Sequence, residues 1–257
     1  MNTGLVLSGG GIRGVAHIGV IKALEEYGIS PTHISGTSAG AIVGALYAGG
    51  IKWPVILEFF KAIPIFHAYR FARKKPGFLD TEKFYDEFKK FFPKDTFESL
   101  PKSLFITATD IIKGNLVIFQ EGELIKPVLA SATFPGVFSP IAINGSFYVD
   151  GGVLNNFPIE PLLSHCDKII GSYVNPLKNI KPKDLKHSYN VLDRAYKIKS
   201  VSDSIAKFVQ CDLVISPEEL SSFATFDMRY IETIFEIGYN STIKKLNYHG
   251  YIKQMEV

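Results

Sequence analysis

Cysteine is nearly absent. The 257 residues hold two, Cys166 and Cys211, in no CxxC pair and no metal-type cluster. That argues against a disulfide-stapled scaffold and a thiolate metal centre, and leaves two reduced thiols packed in a core as the expectation. Charge of one sign is lacking too. Against 28 Lys and Arg stand 25 Asp and Glu, a formal charge of +3. This is too little for a nucleic-acid partner but enough for weak attraction to an anionic surface. No long apolar run exists. The nearest, residues 39–51, is interrupted by Gly40, Gly44, Gly49 and Gly50 and falls short of the ~18 residues a membrane span needs. Met1-Asn2-Thr3 leads straight into Gly4-Leu5-Val6-Leu7 without a basic segment and an apolar signal core. The chain therefore reads as soluble and cytoplasmic, with transient contact at a membrane surface left open. EF-hand spacing, internal repeats and composition breaks are also missing.

What is present is a globular balance, 46% hydrophobic and 21% charged, with strands and helices in alternation. Residues 4–8 form a short apolar strand ending in glycines. Val15, Ile18, Ile21, Leu24 and Tyr27 then recur at helical spacing until Gly28. Residues 33–35 read as a strand and 39–48 as a helix, whose Gly40, Gly44 and Ala48 make a flat stripe suited to close approach to a sheet. Further on, residues 53–92 are helical with breaks at Pro64 and Pro76, and Asp80 or Thr81 is a candidate N-cap. Strands are expected at 104–108, 116–119, 146–149, 168–174 and 212–216. Helices are expected at 125–131, 190–208 and about 225–247, and 175–187 reads as a solvated loop. The pattern predicts an α/β fold: a single domain over residues 1–257, three-layered α/β/α, with a mainly parallel central sheet.

Three motifs carry chemistry. Gly36-Thr37-Ser38-Ala39-Gly40 is a Gly-x-Ser-x-Gly turn between a strand and a helix, where a serine projects as a nucleophile while the glycines let strand and helix pass close. Gly9-Gly10-Gly11-Ile12-Arg13-Gly14 follows the first strand. As a dinucleotide site it needs an acid at the end of the next strand, where Ile34-Ser35-Gly36-Thr37 stands instead, and it lacks the Gly-Lys-Ser/Thr ending of a Walker loop. As an oxyanion loop it needs only backbone N–H groups at a helix start. Arg13 is a brace across that turn or a contact for an anionic head group. His17, one helical turn later, is expected to be packed or solvent-facing. Asp150-Gly151-Gly152 closes a strand and places a carboxylate base on the expected edge of the sheet. Together the motifs point to a serine acyl hydrolase.

The order GGGxRG, GxSxG, DGG resembles the patatin-like phospholipase family. The resemblance extends to Ala132-Thr133-Phe134-Pro135-Gly136-Val137-Phe138, to Asn155-Asn156-Phe157-Pro158 after the DGG, and to a late strand ending at Pro217, so it covers about residues 4–217. It implies a Ser–Asp dyad without histidine or cofactor. Ser38 would attack an ester carbonyl of a lipid acyl ester, Asp150 would take the proton, and Gly9, Gly10 and Gly11 would hold the oxyanion. Asp150 would then help water release the acyl group. Ser8 stands where many members carry an acid, which bears on how the loop is anchored. Such a dyad asks for a raised carboxylate pKa, since a free Asp near 3.9 is a weak base for a hydroxyl.

Three rival readings stay beside this one. A Ser-His-Asp esterase would draw on His165, His187 or His249. A lipid acyltransferase would use the same residues with an alcohol as acceptor, and a lipid-binding protein would keep the fold without turnover. Phe59, Phe60, Ile63, Ile65, Phe66, Tyr69, Phe71 and Phe78 crowd near Lys61, Arg70, Arg73, Lys74 and Lys75. Core-packed helices with a charged edge are the expectation there, with a membrane-contacting segment as the alternative.

Overall fold

The computed structural model describes residues 1–62 and 79–251. Its strands are β1 (Thr3–Leu7), β2 (His33–Gly36), β3 (Ser103–Asp110), β4 (Asn115–Phe119), β5 (Ile141–Ile143), β6 (Ser146–Asp150), β7 (Lys168–Ser172) and β8 (Leu213–Ile215). The helices are α1 (Val15–Glu26), α2 (Ala39–Ala48), α3 (Trp53–Ala62), α4 (Tyr85–Lys89), α5 (Ile125–Ser131), α6 (Ser188–Ala206) and α7 (Ile231–Tyr248), with short 3₁₀ turns between them. All strands join one sheet in the order β5-β6-β3-β2-β1-β7-β8, with β4 also paired to β3. The run β3-β2-β1-β7-β8 is parallel; β4, β5 and β6 are antiparallel additions. Of these strands, β5 was not expected from the sequence. It forms a hairpin with β6 through Asn144-Gly145, both at positive φ, 48° and 80°.

Side-chain alternation along the strands separates the two faces. Leu5, Leu7, Ile34, Leu104, Ile106 and Ile170 point into a large core with α1, α2, α3, α5 and α7. Val6, Phe105 and Ile169 point the other way, into a smaller cluster with Phe157, Ile159, Leu162 and Tyr173. That second layer is thin. The 157–166 segment builds it together with Phe208, just past α6, whose ring meets Phe157 and Tyr173.

The small-residue stripe of α2 lies against the sheet as its spacing suggests. A side chain on Gly40 would strike the Leu7 carbonyl, and one on Gly44 would press on Ile34. A second close approach has no such sequence signal. On α7, Gly238 sits over the Ala16 carbonyl, while Gly19 on α1 faces the Phe235 carbonyl. A Cβ at either position would meet backbone, the overpacking that costs about 1–3 kcal/mol or more.

Candidate active site

Strand register assembles the site. Leu7 pairs with Gly36, so the residues after β1 and β2 leave the sheet side by side at its carboxyl edge. Gly36 pairs with Ile106 of β3, and Asp150 pairs with Ala108, two residues further along. Asp150 is thus level with Ser38. Here the structure corrects the expectation from strand ends: β6 is antiparallel, so its carboxyl end faces opposite to those of β1 and β2. Asp150 reaches the edge because β3 continues past the end of β2.

Ser38 stands at φ 56° and ψ −124°, a conformation that an L residue adopts only when its surroundings enforce it. They do. The Ser38 N–H donates to Ser131 Oγ at 2.8 Å, Thr37 N–H to the Leu7 carbonyl at 3.1 Å, and Thr37 Oγ1 meets Thr107 Oγ1 at 2.6 Å. Gly36 and Gly40 face each other so closely that a side chain on Gly36 would strike the Gly40 carbonyl. Ala39 opens α2 directly behind the serine.

Asp150 is 2% exposed and shares the wall of one small pocket with Ser38. Its Oδ1 accepts the Gly152 N–H at 2.8 Å. Burial pushes the carboxyl up to about 6, against the lowering pull of Ser38, Gly152 and Tyr196. Gly151 allows the chain to pass the Thr107 backbone, and Gly152 leaves the space in which the Tyr196 hydroxyl and Asn156 Oδ1 lie. The Tyr196 hydroxyl faces Asp150, yet finds no acceptor at full hydrogen-bond geometry.

The glycine loop divides its tasks. Gly9 N–H is bonded to the Asn156 carbonyl at 3.2 Å, and Gly14 packs against the Ala39 side chain. The Gly9 N–H is thus taken by Asn156 rather than aimed at Ser38. Gly10 and Gly11 do line the pockets with Ser38, at the start of a 3₁₀ turn whose leading N–H groups have no helical partner. Gly11 has φ 60° and lies against the Thr225 carbonyl, which excludes any side chain. Arg13 is buried at 2% exposure and donates from Nε to the Gly10 carbonyl at 3.1 Å, the contact a brace across this turn would make.

Ser8, in place of an acid, anchors the loop by three bonds: its N–H to the Ser172 carbonyl, its Oγ from Val174 N–H, and its carbonyl from His17 Nε2 at 2.8 Å. His17 is fully buried, and burial lowers its imidazole to about 4. Because Nε2 donates to a carbonyl, Nδ1 of this neutral ring accepts from Ser172 Oγ.

Two pockets meet at Ser38. One is lined by Ile42, Phe59, Phe84, Phe88, Phe134 and Phe138 among other apolar residues. The other is small and polar, with Asp150, Asn156, Asn175, Asp193, Tyr196 and Lys197 on its walls. Sequence reading missed the α6 residues there. Their only signal was the 193, 196, 197 spacing, which puts them on one face of a helix. Ile63, Ile65, Phe66, Tyr69, Phe71 and Phe78, with Arg70, Arg73, Lys74 and Lys75, lie outside the described residues. No described helix is long and apolar enough to cross a membrane.

A family model described as patatin-like phospholipase matches residues 5–163. The chain belongs to the patatin-like phospholipase family. It is 33% identical over 187 residues to an uncharacterized NTE family protein of Mycobacterium tuberculosis strain H37Rv, covering 69% of this chain and 52% of that protein. It is 31% identical over 200 residues to lysophospholipase NTE1 of Cryptococcus neoformans, covering 70% of this chain and 12% of that protein. The chain thus spans about half the length of the curated relatives it matches first. Among solved structures, VipD from Legionella pneumophila shares the fold at a TM-score of 0.65 and 17% identity, covering 96% of this chain and 67% of that chain. The patatin-like match ends before Asn175, Asp193, Tyr196, Lys197 and Thr225, so this wall of the polar pocket comes from outside it.

Proposed function

We propose that this patatin-like protein hydrolyses fatty-acyl esters of phospholipids or lysophospholipids through a Ser38–Asp150 dyad and a covalent acyl-enzyme. The observation that carries the reading is a serine at a strained turn, sharing one small pocket with a buried carboxylate, at the mouth of an apolar pocket. The acyl chain lies along the phenylalanines, and its ester carbonyl stops at Ser38. Ser38 Oγ attacks as Asp150 takes its proton. The N–H groups of Gly10 and Gly11 receive the oxyanion, each such donor contributing about 10²–10³ in rate. The leaving alcohol takes the proton back from Asp150.

A histidine base is not favoured. His165 packs on His33 and Phe105, His187 caps α6, and His249 follows α7; no described histidine lines either pocket. A lipid-only binding role leaves the raised carboxylate beside Ser38 without a use.

A fluorophosphonate probe tests the reading. An adduct on Ser38 is expected in the wild type and lost in Ser38→Ala, with lysophospholipid turnover lost in parallel. A folded wild type that takes no label and releases no fatty acid would rule the proposal out. The base must be ionised to accept a proton, so kcat/KM is expected to fall about tenfold per pH unit below about 6. A profile that stays flat down to pH ~4.5 would remove Asp150 from the proton transfer.

A further inference from the structure

The polar pocket has a composition that acyl-chain binding does not explain. Its charged groups are committed to one another or to the backbone. Lys197 Nζ contacts Asp193 Oδ2 at 2.6 Å, Asp193 Oδ1 accepts from Thr225 Oγ1 at 2.9 Å, and Arg13 donates to Gly10. Burial and the nearby Arg13 lower Lys197 to about 8. Two polar atoms are left over. Asn175, 3% exposed, has a buried Oδ1 that meets no donor, and the buried Tyr196 hydroxyl only faces Asp150. An unmatched polar atom in the interior is destabilising, so a ligand with both a donor and an acceptor is called for. Space limits its size. Beyond Ser38 the pocket has room for about one water molecule.

We propose that this pocket seats the water that cleaves the acyl-enzyme, held between the Asn175 amide oxygen, the Tyr196 hydroxyl and the Asp150 carboxylate. The inference rests on the Ser38 nucleophile and names water as the acceptor in the second half-reaction. One water O–H donates to Asn175 Oδ1 and the other to Asp150, while the water oxygen accepts from Tyr196. The water oxygen then attacks the acyl carbonyl carbon, its proton passes to Asp150, and the carbonyl electron pair moves onto the oxyanion. As the carbonyl re-forms, the bond to Ser38 Oγ breaks. Ser38 Oγ recovers the proton from Asp150 and the fatty acid leaves. Asn175 and Tyr196 are thus positioning residues for deacylation, and Asn175 serves that half alone because it does not bond Asp150.

Full-length wild type, Asn175→Ala and Asn175→Leu are mixed with p-nitrophenyl octanoate, and the Ser38 adduct is followed by intact-protein mass. Both variants are expected to form the octanoyl adduct, which also reports an intact fold. They should lose it about tenfold more slowly than wild type, with Asn175→Leu the slower because its side chain fills the space. With methanol as a competing acceptor, Asn175→Ala should shift products about fivefold from octanoate toward methyl octanoate, since the widened pocket admits one more carbon. Equal adduct lifetimes and equal product ratios in all three proteins would overturn the water seat while leaving Ser38 in place. A wild type that never forms the adduct would sink both this inference and the function beneath it.

Discussion

Replacing Asp150 by asparagine is expected to lower kcat by about 10⁴ and, at neutral pH, to raise the melting temperature. The rate follows from chemistry: an amide keeps the shape and still accepts the Gly152 N–H, but cannot take a proton from Ser38. The stability gain follows from burial. The folded protein holds the Asp150 proton more tightly than the unfolded chain, since the carboxyl rises from 3.8 to about 6 on folding. Between those values the native state binds more protons, so this group's contribution to stability falls as pH rises, and its full cost is present above about 6. A rise of that size corresponds to about 3 kcal/mol. The asparagine variant carries no such cost. Melting curves for both proteins at pH ~4 and pH ~7.5 should nearly coincide at the lower value and separate at the higher, with the variant on top. A variant less stable than wild type at the higher pH would mean that Asp150 is stabilised by its partners rather than strained by them.

Local pattern was enough for the first two βα units. Helical spacing from Val15 and the glycines around Ser38 are short-range signals, and both helices begin and end where those residues place them. Position across the sheet was less legible. The end of its strand points to Asp150 as the base, but strand direction depends on pairing with β3, some forty residues earlier in the chain. The fate of each glycine N–H was hidden for the same reason. Only folding brings the Asn156 carbonyl to Gly9, 147 positions away, and thereby occupies its N–H, while Gly10 and Gly11 line the pocket with Ser38. The β5–β6 hairpin is a different case, because Asn144-Gly145 between apolar runs was a readable turn. On α6, Asp193 and Lys197 resemble an ordinary solvent-exposed i,i+4 pair. Nothing local says that this face, with Tyr196, turns inward to the site.

Arg13→Met is expected to reduce kcat by about 10²–10³ with KM little changed. In a trans peptide the carbonyl and the following N–H point in opposite directions. Arg13 Nε holds the Gly10 carbonyl, so the N–H of Gly11, in the same peptide plane, is turned away from Arg13. Without the guanidinium, this glycine-flanked plane is free to rotate, and the donor is no longer fixed when negative charge develops on the substrate. Methionine fills much of the buried space, which separates lost orientation from lost packing. Lys197 provides an internal control: Arg13 holds its pKa down, so the variant should raise it from about 8 if the side chains keep their places. Steady-state kinetics on a lysophospholipid, beside the rate of fluorophosphonate labelling, distinguishes the two roles open to this residue. A loss confined to KM would make Arg13 a head-group contact. A loss in kcat and labelling rate together identifies it as the brace that sets the oxyanion donor.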